Sequence, residues 1–217
     1  MWPEEQKTQE LLLLVRDGGD SDGDEAVNRL LERHRDALRR MVDLRMDRAL
    51  KRRVDASDVV QDVMLEANGR LRAYLEDPKM PFHLWLRHLA RDRIIDVHRQ
   101  HRVAAKRSLD REQPLVAPAG LDRSTMELAA ELCAAGRSPA SEAAWRELQV
   151  RFQQAVDLLD EQDREIVQMR HAEQLSNSEV ATALGLSPPA ASMRYLRAIR
   201  RLKAVLDEAT STGEAAP

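Results

Sequence analysis

The stretch LSNSEVATALGLSPPAASMRYLRAIRRLK (175–203) constrains this chain more than any other. Ser176 and Glu179 stand in S-x-x-E spacing, in which a hydroxyl and a carboxylate satisfy free N–H groups at a helix start. Gly185 follows Leu184, where a helix end calls for a positive φ. Ser187 can cap a second helix, and Pro188 suits its first position because that N–H has no partner in any case. The spacing predicts helix, short turn, helix. In the second helix Arg194, Arg197, Arg200 and Arg201 fall within about 120° of arc, with Tyr195, Leu196, Ile199, Leu202 and Leu206 opposite. A helix with one core flank and one cationic flank is built to enter a major groove. Met193 and Ala190 point with the arginines, toward base edges. A basic surface helix in an ordinary bundle would share the wheel but would not need the capping and the turn.

A second basic helix is written in FHLWLRHLARDRIIDVHRQHR (82–102). Arg87, His88, Arg91, His98, Arg99 and Arg102 share roughly 120° of arc, against Leu86, Leu89, Ala90, Ile94 and Val97. Phe82 and Trp85 sit at its start. Aromatic rings beside a cationic groove suit unstacked bases of a single strand. Phe82 reads better as core, whereas Trp85 fits core or base stacking equally. His98 and His101 lack the Cys or carboxylate partners of a ligand set, so no metal and no cofactor is expected.

The third surface is acidic. In DASDVVQDVMLEA (55–67), Asp55, Asp58, Asp62 and Glu66 occupy roughly 80° of one face, with Val60, Val63 and Met64 elsewhere. Acids near a helix start are favourable in themselves. A row of four without an interleaved lysine is not arranged for i,i+4 pairing, which favours a docking ridge for a basic partner.

The net charge of −3 conceals this sorting. Residues 54–69 carry four acids and no base, while 190–203 carry five Lys or Arg and no acid. Local basic blocks govern nucleic-acid binding more than the total does. Aromatics make up only 3%, and Ala, Leu and Arg are frequent, which favours helix over sheet. Cys133 is the single cysteine, so no internal disulfide is expected, in keeping with a reducing cytoplasm. The start MWPEEQKTQE lacks the basic region of a signal peptide, and Leu11–Val15 is too short to span a bilayer.

These signals predict an all-α chain of two small helical domains joined by a flexible linker. Residues 1–9 read as a flexible tail and 10–107 as a four-helix domain. Within it a helix is expected from Thr8 to about Asp17, a turn at GGDSDGD (18–24), a second helix after it, a third from Asp55 to about Leu75, and a fourth over 82–107. Pro78 and Pro81 break the chain between the last two. Residues 108–140 hold Pro114, Pro118, Pro139, Gly120 and Gly136 and read as a linker with a short helical candidate near Thr125–Ala135. Helices are expected again at Ser141–Leu159, Glu161–His171, Ser176–Leu184 and Pro188–Glu208, with 209–217 a disordered tail.

The three surfaces in this order resemble the extracytoplasmic-function branch of the sigma-70 family of bacterial RNA polymerase sigma factors. The resemblance covers about 10–107 (region 2) and 141–206 (region 4) and rests on DASDVVQDVMLEA, WLRHLARDRIIDVHRQHR and EVATALGLSPPAASMRYLRAIRRL. It implies that Asp55, Asp58, Gln61, Asp62 and Glu66 bind the clamp helices of the polymerase β′ subunit, and that the C-terminal domain meets the β flap. It implies that Trp85, Arg87, His88, Arg91, Asp92, His98, Arg99 and Arg102, with the loop 74–81, open and read the −10 element, holding a flipped base. Ser187, Pro189, Ala190, Met193, Arg194, Arg197, Arg200 and Arg201 would read the −35 duplex. Partners implied are core polymerase, promoter DNA and an anti-sigma factor, with no membrane and no catalysis by the chain itself. Asp92 stands where many members carry Asn, and an ionised carboxylate accepts but cannot donate. Ser192 replaces a frequent Lys, and Pro189 and Ala190 replace more polar residues, which leaves the −35 preference open.

A linker over 108–140 would reach on the order of 110 Å extended, more than the ~70 Å of two turns of DNA. Two rival readings remain at this stage. A helix-turn-helix regulator acting without polymerase explains 160–206 but not the basic helix at 85–107. A helical scaffold protein predicts no response to DNA. An enzyme is disfavoured, because no phosphate loop, HExxH or nucleophile–base pair is legible.

Overall fold

The computed structural model describes residues 2–18, 20–105, 123–133 and 141–213, with the backbone alone at 20–22, 48, 102–105, 123–124, 133 and 209–213. All regular structure among these residues is helical. The chain divides into two compact units, Met1–Leu115 and Val116–Pro217.

The first unit contains α1 (Glu5–Asp17), α2 (Asp20–Arg45), the single turn α3 (Arg48–Lys51), α4 (Ala56–Glu76) and α5 (Phe82–Ala105). Asp47 and Asp55 start α3 and α4 by accepting the N–H groups of Leu50 at 2.7 Å and Ser57 at 2.6 Å. Helices α1, α2, α4 and α5 close over one core of Leu30, Leu38, Met41, Val42, Val59, Val60, Val63, Phe82, Leu86 and Ala90, all fully buried. Each of these side chains larger than Ala90 contributes about 1.5–3 kcal/mol of burial. The Pro78–Pro81 loop between α4 and α5 is fastened by the Tyr74 hydroxyl, which donates to the Met80 carbonyl at 2.9 Å.

Two expectations for this unit need correction. The flexible tail over 1–9 is largely helix, because α1 begins at Glu5. Thr8 is buried and donates its hydroxyl to the Glu4 carbonyl, and the Trp2 ring lies 5.7 Å from His83 and 6.4 Å from His34. The turn over 18–24 is far shorter than its Gly and Asp content suggested. Gly18 ends α1 and α2 starts at Asp20. A Cβ on Gly18 would stand 2.5 Å from the Leu14 carbonyl oxygen and 3.2 Å from the Gly23 nitrogen. The glycines therefore allow a tight corner between two helices rather than a loop.

The second unit contains α6 (Arg123–Cys133), α7 (Glu142–Leu158), α8 (Glu161–His171), α9 (Asn177–Leu184) and α10 (Pro188–Gly213). Ser141 and Asp160 cap α7 and α8 through the N–H groups of Ala144 and Asp163. Phe152, Ile166, Met169, Val180, Ala191, Ala198, Leu202 and Leu206 form the interior. Helix α6 lies inside the stretch expected as linker, yet it packs on α7, α8 and α10 and buries Leu128 and Ala129. The apolar spacing of STMELAAEL outweighs the prolines and glycines around it, which themselves fall outside the described residues. The tail expected from 209 is likewise shortened, since α10 continues to Gly213.

Candidate nucleic-acid interface

The acidic ridge on α4 is open. Asp58 and Gln61 are exposed and Asp55 caps the helix, the Ser57 N–H holding its carboxyl below the usual carboxylate range. Asp62 accepts from Arg93 of α5 at 3.1 and 2.5 Å, and Glu66 pairs with Arg70 at 3.0 Å. The ridge thus does use an i,i+4 pair, and two of its four acids already hold arginines of their own domain. Both pairs are solvent-accessible, with Asp62 47% and Arg70 64% exposed. Such pairs are worth at most about 1 kcal/mol and exchange readily for a partner's cations. Between the acids stands Leu65, 65% exposed and on the same face. Charge counting overlooked it, although its position one turn beyond Gln61 and Asp62 was legible. An exposed leucine at the edge of the ridge, one turn from Asp62, adds apolar area beside the charges.

On α5 the cationic strip is narrower than its wheel. Arg87 is 1% exposed and cannot meet DNA, so its assignment to that strip is wrong. It lies only about 20° from Ile94 on the wheel, at the edge of the core face. The first turns of α5 are enclosed on more than one side, with Phe82, His83, Leu84 and Leu86 all buried. His88 and Arg91 are half-buried, while Asp92 is exposed. His98 sits 3.6 Å from Asp47, and Arg99, 74% exposed, lies 3.8 Å from Asp96. The Arg102 side chain falls outside the described residues. Trp85 is half-buried, stacked on Tyr74 at 4.7 Å and 5.5 Å from Phe82. It belongs to an aromatic cluster and is still reachable from solvent. Burial drives the Tyr74 hydroxyl up to about 12 and the His34 imidazole, 5.1 Å from Phe82, down to about 4.

The helix-turn-helix forms as its sequence dictates. The Ser176 hydroxyl accepts from Glu179 N–H, and the Glu179 carboxylate accepts from Ser176 N–H at 2.7 Å. Gly185 turns the chain at φ +63°, and Leu186 N–H reaches the Ala181 carbonyl at 2.9 Å. Ser187 caps α10 through Ala190 N–H at 3.4 Å, and Asn177 donates to the Pro188 carbonyl at 2.9 Å. Ala191, Ala198, Leu202 and Leu206 face inward. Tyr195 sits between them and the surface, its hydroxyl 2.7 Å from the His171 ring and its face under Arg170.

Outward from α10 point Pro189, Ala190, Met193, Arg197 and Arg200, all exposed, with Arg194 half-buried at the margin. Two expectations fail here. Arg201 donates to Asp160 at 2.6 Å and to the buried Asp163, so it ties α10 to the start of α8 instead of facing a groove. Leu196, expected on the core side, is 45% exposed beside Met193 at 53%.

Known proteins carry the same two parts. Residues 30–103 match the sigma-70 region 2 family and residues 149–202 match sigma-70, region 4. The RNA polymerase sigma factor CnrH of Cupriavidus metallidurans is 31% identical over 153 residues, spanning 70% of this chain and 74% of that one. The structure of CnrH in complex with the cytosolic domain of CnrY superposes with a TM-score of 0.56 at 24% identity, covering 93% of this chain and 97% of that one. The sigma factor RpoE in complex with the anti-sigma factor NepR from Bartonella quintana gives 0.51 at 20% identity, covering 94% and 98%. These two likenesses speak for the fold.

Proposed function

Because the chain belongs to the sigma-70 family, as an RNA polymerase sigma factor of its extracytoplasmic-function branch, we propose a division of labour among its surfaces. The α4 ridge, with Asp58, Gln61, Asp62 and Glu66 around Leu65, docks on the β′ clamp helices. The half-buried Trp85, with His88, Arg91, Asp92, His98 and Arg99, faces the opened −10 strand. The outward face of α10 enters the −35 duplex, and the second unit rests on the β flap. The catalysis is the polymerase's. The site of action is the cytoplasm; no described helix is long and apolar enough to cross a membrane. An anti-sigma factor competing for these faces is proposed from the complexes formed by CnrH and RpoE.

The observation that carries this reading is the open α4 ridge, on which Asp55, Asp58, Asp62 and Leu65 are exposed and Glu66 is half-buried, while the Val59, Val60, Val63 and Met64 flank is core. Changing both Asp58 and Asp62 to Lys replaces attraction by repulsion at the clamp. Capture of core polymerase should fall at least tenfold, with the thermal unfolding of the chain nearly unchanged. Unaltered capture by that double variant would remove the ridge from the docking surface. Run-off transcription with core polymerase on promoters mapped genome-wide then tests the whole assignment.

A further inference from the structure

The arginines of α10 are not evenly placed along the helix that faces DNA. A recognition helix meets base edges chiefly with its N-terminal turns. In α10 those turns expose Pro189, Ala190, Met193 and Leu196. Ser187 in front of them is occupied as the cap, and Ser192 is half-buried. Arg194, between Met193 and Leu196, is half-buried at the margin of this face; the exposed cations, Arg197 and Arg200, come one and two turns after Met193, and Arg197 leans back so that its Nε donates to the Met193 carbonyl at 3.4 Å. Arg201 is held by Asp160 and Asp163. Bidentate guanine recognition needs a guanidinium aimed from the outward face of the first turns, and the exposed side chains on that face ahead of Arg197 are Pro189, Ala190, Met193 and Leu196.

Resting on the duplex reading above, we propose that this chain reads its −35 element by apolar contact, with Met193 and Leu196 against thymine 5-methyl groups and Arg197 and Arg200 on flanking phosphates. Met193 and Leu196 are three residues apart and so share one face. Two large apolar side chains left in water on a helix without an acid from 190 to 203 fit a polyanionic duplex that presents methyl groups in its major groove. An acidic protein surface would satisfy the cations but would not show a dependence on one base substituent.

The test uses holoenzyme and promoter fragments selected from a library randomised around −35. The recovered element should contain thymines on one strand or the other within the helix footprint. Each is replaced in turn by deoxyuridine, which removes only the methyl. Affinity should fall about fourfold at one or two positions, the size of one buried methyl. Met193→Gln and Leu196→Gln, at exposed positions that leave the fold alone, should abolish that sensitivity and relax selection at those positions. Indifference to deoxyuridine at every position, or full sensitivity retained in both variants, would overturn the proposal while leaving −35 binding intact. Absence of any −35 protection by the holoenzyme would sink the duplex reading itself, and this inference with it.

Discussion

Helices α5 and α10 are alike as sequences and unlike as surfaces. Each is apolar along one flank and arginine-rich along the other. In α5 the cations are drawn toward protein: Arg87 is buried, His88 and Arg91 are half-buried, Arg93 holds Asp62, and His98 approaches Asp47. In α10 Arg201 is committed to an ion pair and Arg194 is half-buried, but the outward face of the first turns stays open. The difference lies in what surrounds the first turns of each helix. Phe82, His83, Leu84 and Leu86 are all buried at the start of α5, with rings from α2, α4 and the N-terminal segment around them. Helix α10 lies against α6, α7, α8 and α9, yet Pro189, Ala190 and Met193 of its first turns stay exposed. A wheel describes one helix; the neighbours decide how much of its polar arc remains outside.

The sharpest way to break this comparison is at Arg87. As a buried charge, it should cost about 3 kcal/mol or more when truncated to Ala. Urea unfolding reads this directly as a lower midpoint. Arg197→Ala, on the open face of α10, should leave that midpoint in place and weaken promoter binding. If Arg87→Ala unfolds like the native chain yet opens promoters poorly, the two helices are equivalent after all and the burial of Arg87 is misleading.

The next effect is a pH dependence confined to the first unit. His34 donates from Nδ1 to the Leu30 carbonyl at 2.9 Å, with Thr8 Oγ1 3.5 Å from its other nitrogen. Burial lowers its folded value to about 4 from 6.5. Between these limits the unfolded chain binds the extra proton and the folded chain does not, so stability is full above about pH 6.5 and falls as the pH drops toward 4. The loss is on the order of 2–3 kcal/mol. His34→Gln should be less stable at neutral pH and should show a flatter dependence from pH 6.5 to 4. An equally steep fall in the variant would assign the effect to other groups.

Much of this was legible in the sequence, and the failures share a cause. The ends of α8, the Ser176–Glu179 box, the Gly185 turn and the Pro188 start are local matters, settled by residues a few positions apart. The binary pattern gave the long helices for the same reason. Arg87 and Arg201 failed because their fates depend on partners far along the chain: the walls around the start of α5, and Asp160 and Asp163 at the head of α8. Helix α6 was expected as a short helical candidate near Thr125–Ala135, but its packing on α7, α8 and α10 was hidden because the amphipathic stretch is short and flanked by prolines and glycines. Its docking shortens the stretch between α5 and α6 to a reach of at most about 60 Å, well below that of the linker read from sequence. Leu65 was passed over because the ridge was read by charge, and Leu196 was misplaced because apolar residues are assigned to cores by default.

The smallest effect separates two neighbouring arginines of α10. Arg200 is exposed and faces outward; Arg201 is also largely exposed but is committed to Asp160 and to the buried Asp163. Arg201→Ala strips a partner from a carboxylate that is shielded from water, so the melting temperature should drop by a few degrees. The salt dependence of promoter binding by the holoenzyme should stay as it was. Arg200→Ala should do the reverse: an unchanged melting temperature, and a slope of log affinity against log salt reduced by about one, the signature of one lost phosphate contact. The pair is informative because the two residues are adjacent in sequence and identical in chemistry. Were Arg201→Ala to lower the salt slope as much as Arg200→Ala, the clamp to α8 would have to open when DNA binds, and the boundary drawn between structural and DNA-facing arginines on α10 would move by one residue.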